Sequence, residues 1–288
     1  MGAHVVAEGL HVPEGPAVLD DGTWVFTEQT AGRISGYDST GVRNVAYVGG
    51  APNSCVPGLN GDLYVCQNGG VVGSWRSSDP RVPGIQRVAA DGTVTTIRVA
   101  VDGRPFVAPN DLAFGPDGTL YVTDPAQAFD PDHRLDAGEV WALGPGSGRL
   151  LSSVGGVYCN GIAVDDEGAV VWVESYTRAV RSVDGAGRVR TWCLLPEGEV
   201  PDGFAVAQDG RLFIATCGSH AISIVGPDGE HLGQLRLDER ANPTNCCFDG
   251  SNLIVTDFGM DFETQLGAGR LWVVPTDAQG ARVHRGTL

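Results

Sequence analysis

The sequence contains no lysine; all 19 of its basic residues are arginine. A Schiff-base lysine, a Ser-Lys dyad and a phosphate-binding P-loop are therefore excluded. Cations are scarce altogether, and the net charge is −16. That balance argues against nucleic acid and anionic membranes as partners, because both need clustered cations. It leaves a small-molecule substrate as the expected partner, and nothing in the chain signals an oligomeric state. The seven cysteines are odd in number and form no C-x-x-C pair. Several, such as Cys66 and Cys247, lie in apolar strand-like stretches, and they read as reduced, buried thiols of a cytoplasmic protein. No charged-then-apolar leader opens the chain, and no apolar run approaches the roughly 18 residues of a membrane span. There is no helical periodicity of any length, and no G-x-S-x-G nucleophile turn.

What is abundant is glycine and proline, 42 and 17 residues spread along the whole chain. Spread in this way they mark turns between many short strands. Six segments share one pattern: a polar anchor, a short apolar stretch, an acidic-or-Asn–Gly turn and a β-rich stretch. They span 14–28, 53–67, 110–124, 160–174, 202–216 and 244–257. In the first five the turn begins seven residues after the anchor: Glu14 to Asp21, Asn53 to Asn60, Asn110 to Asp117, Asn160 to Glu167 and Asp202 to Asp209. The sixth, anchored at Thr244, is one residue shorter. Each unit predicts a β-hairpin, with the turn glycine supplying the backbone angles a tight turn requires. A further strand follows each hairpin, for example at 33–38, 85–92, 138–144 and 269–275. Three to four strands in each repeat of about 40–50 residues is the arithmetic of a propeller blade. The expectation is an all-β chain, a single six-bladed β-propeller domain over residues 1–288. A β-sandwich gives no reason for six units of matching internal spacing.

A residue at the same place in every innermost strand falls in a ring around the central channel. Here that ring is Glu14, Asn53, Asn110, Asn160, Asp202 and Thr244, and all six offer a side-chain oxygen. Hard oxygen donors without imidazole or thiolate suit Ca²⁺. Taken singly, Asn110, Asn160 and Asp202 also read as turn or capping residues; the ring is what favours a metal. A residue fourteen after each anchor, thirteen in the shorter sixth unit, is expected to lie across the hairpin, near the same mouth. Those positions are Glu28, Gln67, Asp124, Glu174, Thr216 and Asp257, read as supporting partners of the site or as substrate contacts.

Pro-Glu-Gly-Pro at 13–16, Pro-Asn-Asp-Leu at 109–112, Leu-Tyr-Val-Thr-Asp-Pro at 120–125, Asn-Gly at 160–161 and Pro-Asp-Gly at 201–203 resemble, in their order and spacing, the senescence-marker-protein, gluconolactonase and luciferin-regenerating-enzyme family. The resemblance covers nearly the whole chain. It implies a six-bladed propeller with one catalytic divalent ion, Ca²⁺ foremost and Mg²⁺, Mn²⁺ or Zn²⁺ as alternatives. It implies Glu14, Asn160 and Asp202 as metal ligands, with Asn110 coordinating the metal or contacting substrate. It also implies Asp202 as the carboxylate acting as general base or, in phosphotriesterase-like propellers, as nucleophile. Ala108 departs from the pattern, because some sugar-lactonase members carry there an arginine that binds substrate hydroxyls or carboxylate. The segment 124–138 resembles the family's variable loop over the mouth, with Phe129, His133 and Arg134 as substrate contacts or plain surface residues.

The expected reaction is metal-dependent hydrolysis of a lactone or related ester. The metal polarises the carbonyl, Asp202 activates water, and Asn53, Asn110 and Asp111 orient the substrate. Two alternatives share the scaffold: a biosynthetic cyclase or isomerase acting on a small molecule, and a non-enzymatic binding propeller with a structural metal. Cys159, next to Asn160, reads as a buried thiol more readily than as a nucleophile. His133 and His220 are the histidines able to reach the channel.

Overall fold

The computed structural model describes residues 2–134, 138–184, 187–259 and 268–288. Among these the chain is almost entirely strand, with 3-10 turns at Gln29–Ala31 and Leu59–Gly61. No helix among them is long and apolar enough to cross a membrane. All six predicted hairpins form. Their turn glycines Gly22, Gly61, Gly118, Gly168, Gly210 and Gly250 take φ values between 61° and 85°, where a side chain is disfavoured.

Six four-stranded antiparallel sheets result, each a blade of the expected propeller. The innermost strands are Pro13–Val18, Pro52–Pro57, Leu112–Phe114, Cys159–Val164, Val200–Val206 and Pro243–Asp249. Five blades are built from consecutive chain. The sixth takes its outermost strand from the N-terminus: His4–Leu10 pairs with Gly269–Pro275. This closes the ring by hydrogen bonds between the two ends of the chain. The repeat carried no sign of that strand, because an outermost strand has neither the anchor nor the hairpin turn.

Burial follows position in the blade. Second strands such as Leu63–Gln67 and Val170–Glu174 are buried throughout, because blades cover both of their faces. The outermost strand Gly41–Tyr47 is largely exposed. Six apolar clusters fill the spaces between neighbouring blades, among them Tyr64, Phe114 and Trp141 between the second and third. Another holds Phe213 and Trp272 between the fifth and sixth. Each fully buried side chain of this kind contributes about 1.5–3 kcal/mol, so the stability sits between blades and leaves the axis to polar residues.

The C-terminal residues cross one end of the channel. Ala281 N donates to the Val206 carbonyl at 2.9 Å, Leu59 N to the Gly286 carbonyl at 3.0 Å, and Leu288 N to Tyr64 Oη at 3.0 Å. A cavity of about 150 Å³ lies between this strap and the strands. The larger cavity is at the opposite end.

Candidate metal centre and mouth of the channel

In five blades the ladder between the first and second strands slips just past the anchor. The shifts fall between Glu14 and Ala17, Pro52 and Cys55, Cys159 and Ile162, Pro201 and Phe204, and Pro243 and Asn245. A bulge of this kind re-aims side chains. All six anchors, Glu14, Asn53, Asn110, Asn160, Asp202 and Thr244, line one cavity of about 310 Å³. Thr244 differs from the rest in orientation. Its hydroxyl is engaged with the Pro13 carbonyl at 3.0 Å and Thr256 Oγ1 at 2.9 Å, tying the sixth blade to the first.

The two carboxylates carry the electrostatics. Glu14 is buried, and its Oε2 accepts from Gly15 N at 2.6 Å and Asn245 Nδ2 at 3.1 Å. Burial, and then the charge of Asp202, push its carboxyl well above the ordinary range. Asp202 accepts from Cys217 Sγ at 3.3 Å. Burial raises its carboxyl to about 7, against the opposing hydrogen bonds from Cys217 and Asn160. Asn160 Nδ2 donates to Ser175 Oγ at 3.1 Å, and Asn110 Nδ2 lies 3.5 Å from Tyr158 Oη.

Immediately below the anchors the channel narrows to a waist of Gly15, Ser54, Asp111, Gly161, Gly203 and Asn245, each one residue after its anchor. The glycines are required by close approach. A Cβ on Gly203 would sit 1.9 Å from Asn245 Cγ, and one on Gly15 would sit 2.4 Å from Ser54 Cα. Gly203→Ala is expected to lower stability by about 1–3 kcal/mol. It should also displace Asn245 from Glu14, so a denaturation midpoint equal to the parent's would refute this reading of the waist. Asp111, expected as a substrate contact, belongs to the waist instead. Its carboxylate accepts from Leu112 N at 2.9 Å and Ile162 N at 3.0 Å, and it lines the cavity under the C-terminal strap.

The second ring stands one residue away from the expected one. Glu28 pairs across the ladder with Pro13, Gln67 with Pro52, Glu174 with Cys159, Thr216 with Pro201 and Asp257 with Pro243, so these residues face the residue before the anchor. None of Glu28, Gln67, Asp124, Glu174, Thr216 and Asp257 lines the cavity. They are buried braces instead. Glu28 holds Arg33 and Ser35, Glu174 holds Arg181, and Asp124 accepts from Val107 N and Ala108 N. The cavity's second ring is the next residue along: Gln29, Asn68, Ser175, Cys217 and, in the shorter sixth unit, Phe258. A shift of one residue turns a strand's side chains to the opposite face, and the bulges supply that shift.

Of the residues expected from the mouth loop, Phe129 lines the cavity, packed edge-on to Tyr158 with ring centroids 5.3 Å apart. His133 does not; its side chain is exposed and pairs with Asp130 at 3.0 Å. Arg134 covers the ring of Tyr176 at 4.9 Å. Residues 135–137 of that loop lie outside the described residues. His220 Nδ1 is bonded to the Ala241 carbonyl, off the cavity. Cys159 is buried, with Sγ 3.2 Å from the Glu139 carbonyl and its thiol held far above the ordinary range by that burial. The expectations missed Val12, Tyr158 and Val200, each two residues before an anchor, and the small ribbon Val71–Val72 with Trp75–Arg76. The first group was readable as an apolar residue at a fixed offset from the anchor.

The donor set fits a hard cation. No cluster of three or more His, Cys, Asp or Glu placed for a metal occurs among the described residues. The candidate set instead mixes two carboxylates, Glu14 and Asp202, with the amides of Asn110 and Asn160. Two carboxyls raised by desolvation, Glu14 further by the charge of Asp202 and Asp202 by that of Asp111, are the condition a divalent cation relieves.

The profile of the family described as SMP-30/Gluconolactonase/LRE-like region matches residues 12–257. A gluconolactonase of Zymomonas mobilis is 32% identical over 167 residues, 51% of this chain and 46% of its own length. A diisopropyl-fluorophosphatase of Loligo vulgaris is 27% identical over 186 residues, 57% of this chain and 58% of its own. These matches span about half the length of the curated relatives. Among solved structures, the calcium-binding protein regucalcin of Agrobacterium tumefaciens superposes with a TM-score of 0.78 at 15% identity, covering 99% of this chain and 97% of that one. At that identity the likeness establishes the fold, a six-bladed β-propeller.

Proposed function

The chain belongs to the SMP-30/gluconolactonase/LRE-like family, and from that premise we propose that it is a metal-dependent hydrolase of a lactone or related ester. The observation that carries this reading is the convergence of Glu14, Asn110, Asn160 and Asp202 on one cavity. We assign these four as the ligands of a divalent cation. The similarity to a calcium-binding propeller and the all-oxygen donor set favour Ca²⁺. When bound, such an ion supplies Lewis-acid polarisation of a carbonyl and stabilisation of the developing oxyanion.

The chain's own residues do the rest. Asp202 is placed to accept a proton from water and to return it; its carboxyl stands near 7 in the metal-free chain, and a bound cation would hold it as the carboxylate. The oxygen of that water joins the acyl carbon, the ring C–O bond breaks, and the leaving alkoxide takes the proton, giving a hydroxy acid with no other reactant. Cys217 and Asn160 hold the Asp202 carboxylate in place. Tyr158 holds Asn110. The similarity to a fluorophosphatase extends the same reading to a phosphoryl centre, where the identical donor set would stabilise charge on a P–O oxygen.

Metal analysis paired with chelation and readdition tests the proposal. About one equivalent of Ca²⁺ is expected, with lactone hydrolysis lost on chelation and restored on readdition while the protein stays folded. A protein that melts on chelation and never opens a lactone would sink the assignment.

A further inference from the structure

The walls of the cavity contrast with its floor. The floor is the ring of amides and carboxylates. Above it, the residue two before the anchor lines the cavity in four blades: Val12, Ala108, Tyr158 and Val200. Val71 and Val72 of the ribbon and Phe129 of the mouth loop continue this apolar wall. No arginine or histidine lines the cavity among the described residues, and the chain has no lysine. The nearby cations are engaged elsewhere, Arg134 over the ring of Tyr176 and Arg33 on Glu28. Among the described residues, Glu14 and Asp202 are the ionisable carboxyls that line it.

These facts decide between ligand classes. An anionic ligand would find no cationic side chain among the described residues, and the charge of the ion is already balanced by the two carboxylates that hold it. Polar side chains also line the walls, but they are held within the protein: Asn68 by the Val71 carbonyl and Gly70 N, Gln127 by Tyr176 Oη and the His133 carbonyl, and Ser175 by Asn160 and the Pro201 carbonyl. With those groups engaged, most hydroxyls of a polyhydroxylated ring would face valine and aromatic carbon, and each buried hydroxyl without a partner is costly. A compact alkyl or aryl body loses nothing there, and the Phe129–Tyr158 edge-to-face pair offers it an aromatic surface. A volume of about 310 Å³ is at the small end for ligand pockets, which suits a small substrate.

Building on the hydrolase reading above, we propose that the substrate is an uncharged lactone or ester whose carbonyl reaches the polar floor and whose body is alkyl or aryl, not a sugar. Water adds to the acyl carbon and the ring C–O bond opens as described, so no further reactant enters.

The test is kcat/KM of the metal-loaded protein for δ-undecalactone, dihydrocoumarin and δ-gluconolactone. The alkyl and aryl lactones are expected to exceed the sugar lactone by about 100-fold or more, as differences of a few buried carbons allow. Phe129→Ala is expected to cut the preference for dihydrocoumarin over δ-gluconolactone by about tenfold. Turnover of δ-gluconolactone at least as fast as the others overturns the apolar assignment and leaves the hydrolase reading standing. If no lactone is opened, the hydrolase reading falls. The wall's preference is then read by melting shifts with unreactive δ-lactams. An alkyl-substituted lactam should stabilise more than a polyhydroxylated one, and the reverse order overturns the proposal.

Discussion

Asp202→Asn is expected to lower lactone turnover by about 10²–10⁴-fold, the usual worth of a positioned general base, while leaving the fold intact. The amide occupies the same volume, and Cys217 can still donate to its oxygen. Without metal, the variant should be at least as stable as the parent at pH 8, and the sign follows from the Asp202 carboxyl. That carboxyl stands at about 7 in the folded chain, against an ordinary value of 3.8. Between those values the folded state holds a proton that the unfolded state has lost, so metal-free stability declines as pH rises from about 4 to about 7. Asparagine carries no charge and escapes that decline. Bound metal reverses the dependence, because its ligands must be deprotonated and its affinity rises over the same window. Thermal melts of both proteins at pH 5 and pH 8, with and without Ca²⁺, check each part. Retained turnover in the variant would remove Asp202 from the chemistry.

The opposite outcome is expected at Asp257, another carboxylate of the repeat. It is fully buried, and its oxygens accept from Asn242 N at 2.8 Å, Gly259 N at 2.7 Å, Arg270 Nε at 2.9 Å and Trp272 Nε1 at 2.8 Å. Asp257→Ala orphans these donors together and removes one of the two carboxylates that balance Arg270. Breaking a buried pair in this way costs about 3–5 kcal/mol. The loss should appear as a lower urea midpoint, and what folds should keep its kcat. Because Asp257 closes the blade that the N-terminal strand completes, unfolding should start there, with early loss of hydrogen-exchange protection along His4–Leu10. An unchanged midpoint with a lost kcat would return Asp257 to the site.

The contrast between these two carboxylates marks the boundary of what a linear pattern conveys. Both recur at regular offsets, Asp257 fully buried and Asp202 half-buried at the cavity. What separates them is a bulge beside the anchor. It leaves Asp257 opposite Pro243, on the blade's interior, and aims Asp202 into the channel. The offsets are visible in the chain; the slip in the ladder is not, because it depends on how the first and second strands pair once the blade has formed. The same slip exchanged Glu28 for Gln29 and Glu174 for Ser175 as residues of the cavity.

By itself the sequence determined the hairpins, their number and the ring of anchors. Turn glycines at positive φ and anchors seven residues upstream are local requirements, written wherever the chain must reverse and wherever a blade meets the axis. Only the tertiary structure decided which blade the N-terminal strand completes, which end of the channel the C-terminal residues cover, and that Asp111 belongs to the waist. It also decided that valine and aromatic side chains gather above the polar floor. Those features arise from contacts between residues far apart in the chain, whose free energies exist only after six blades have closed on one another.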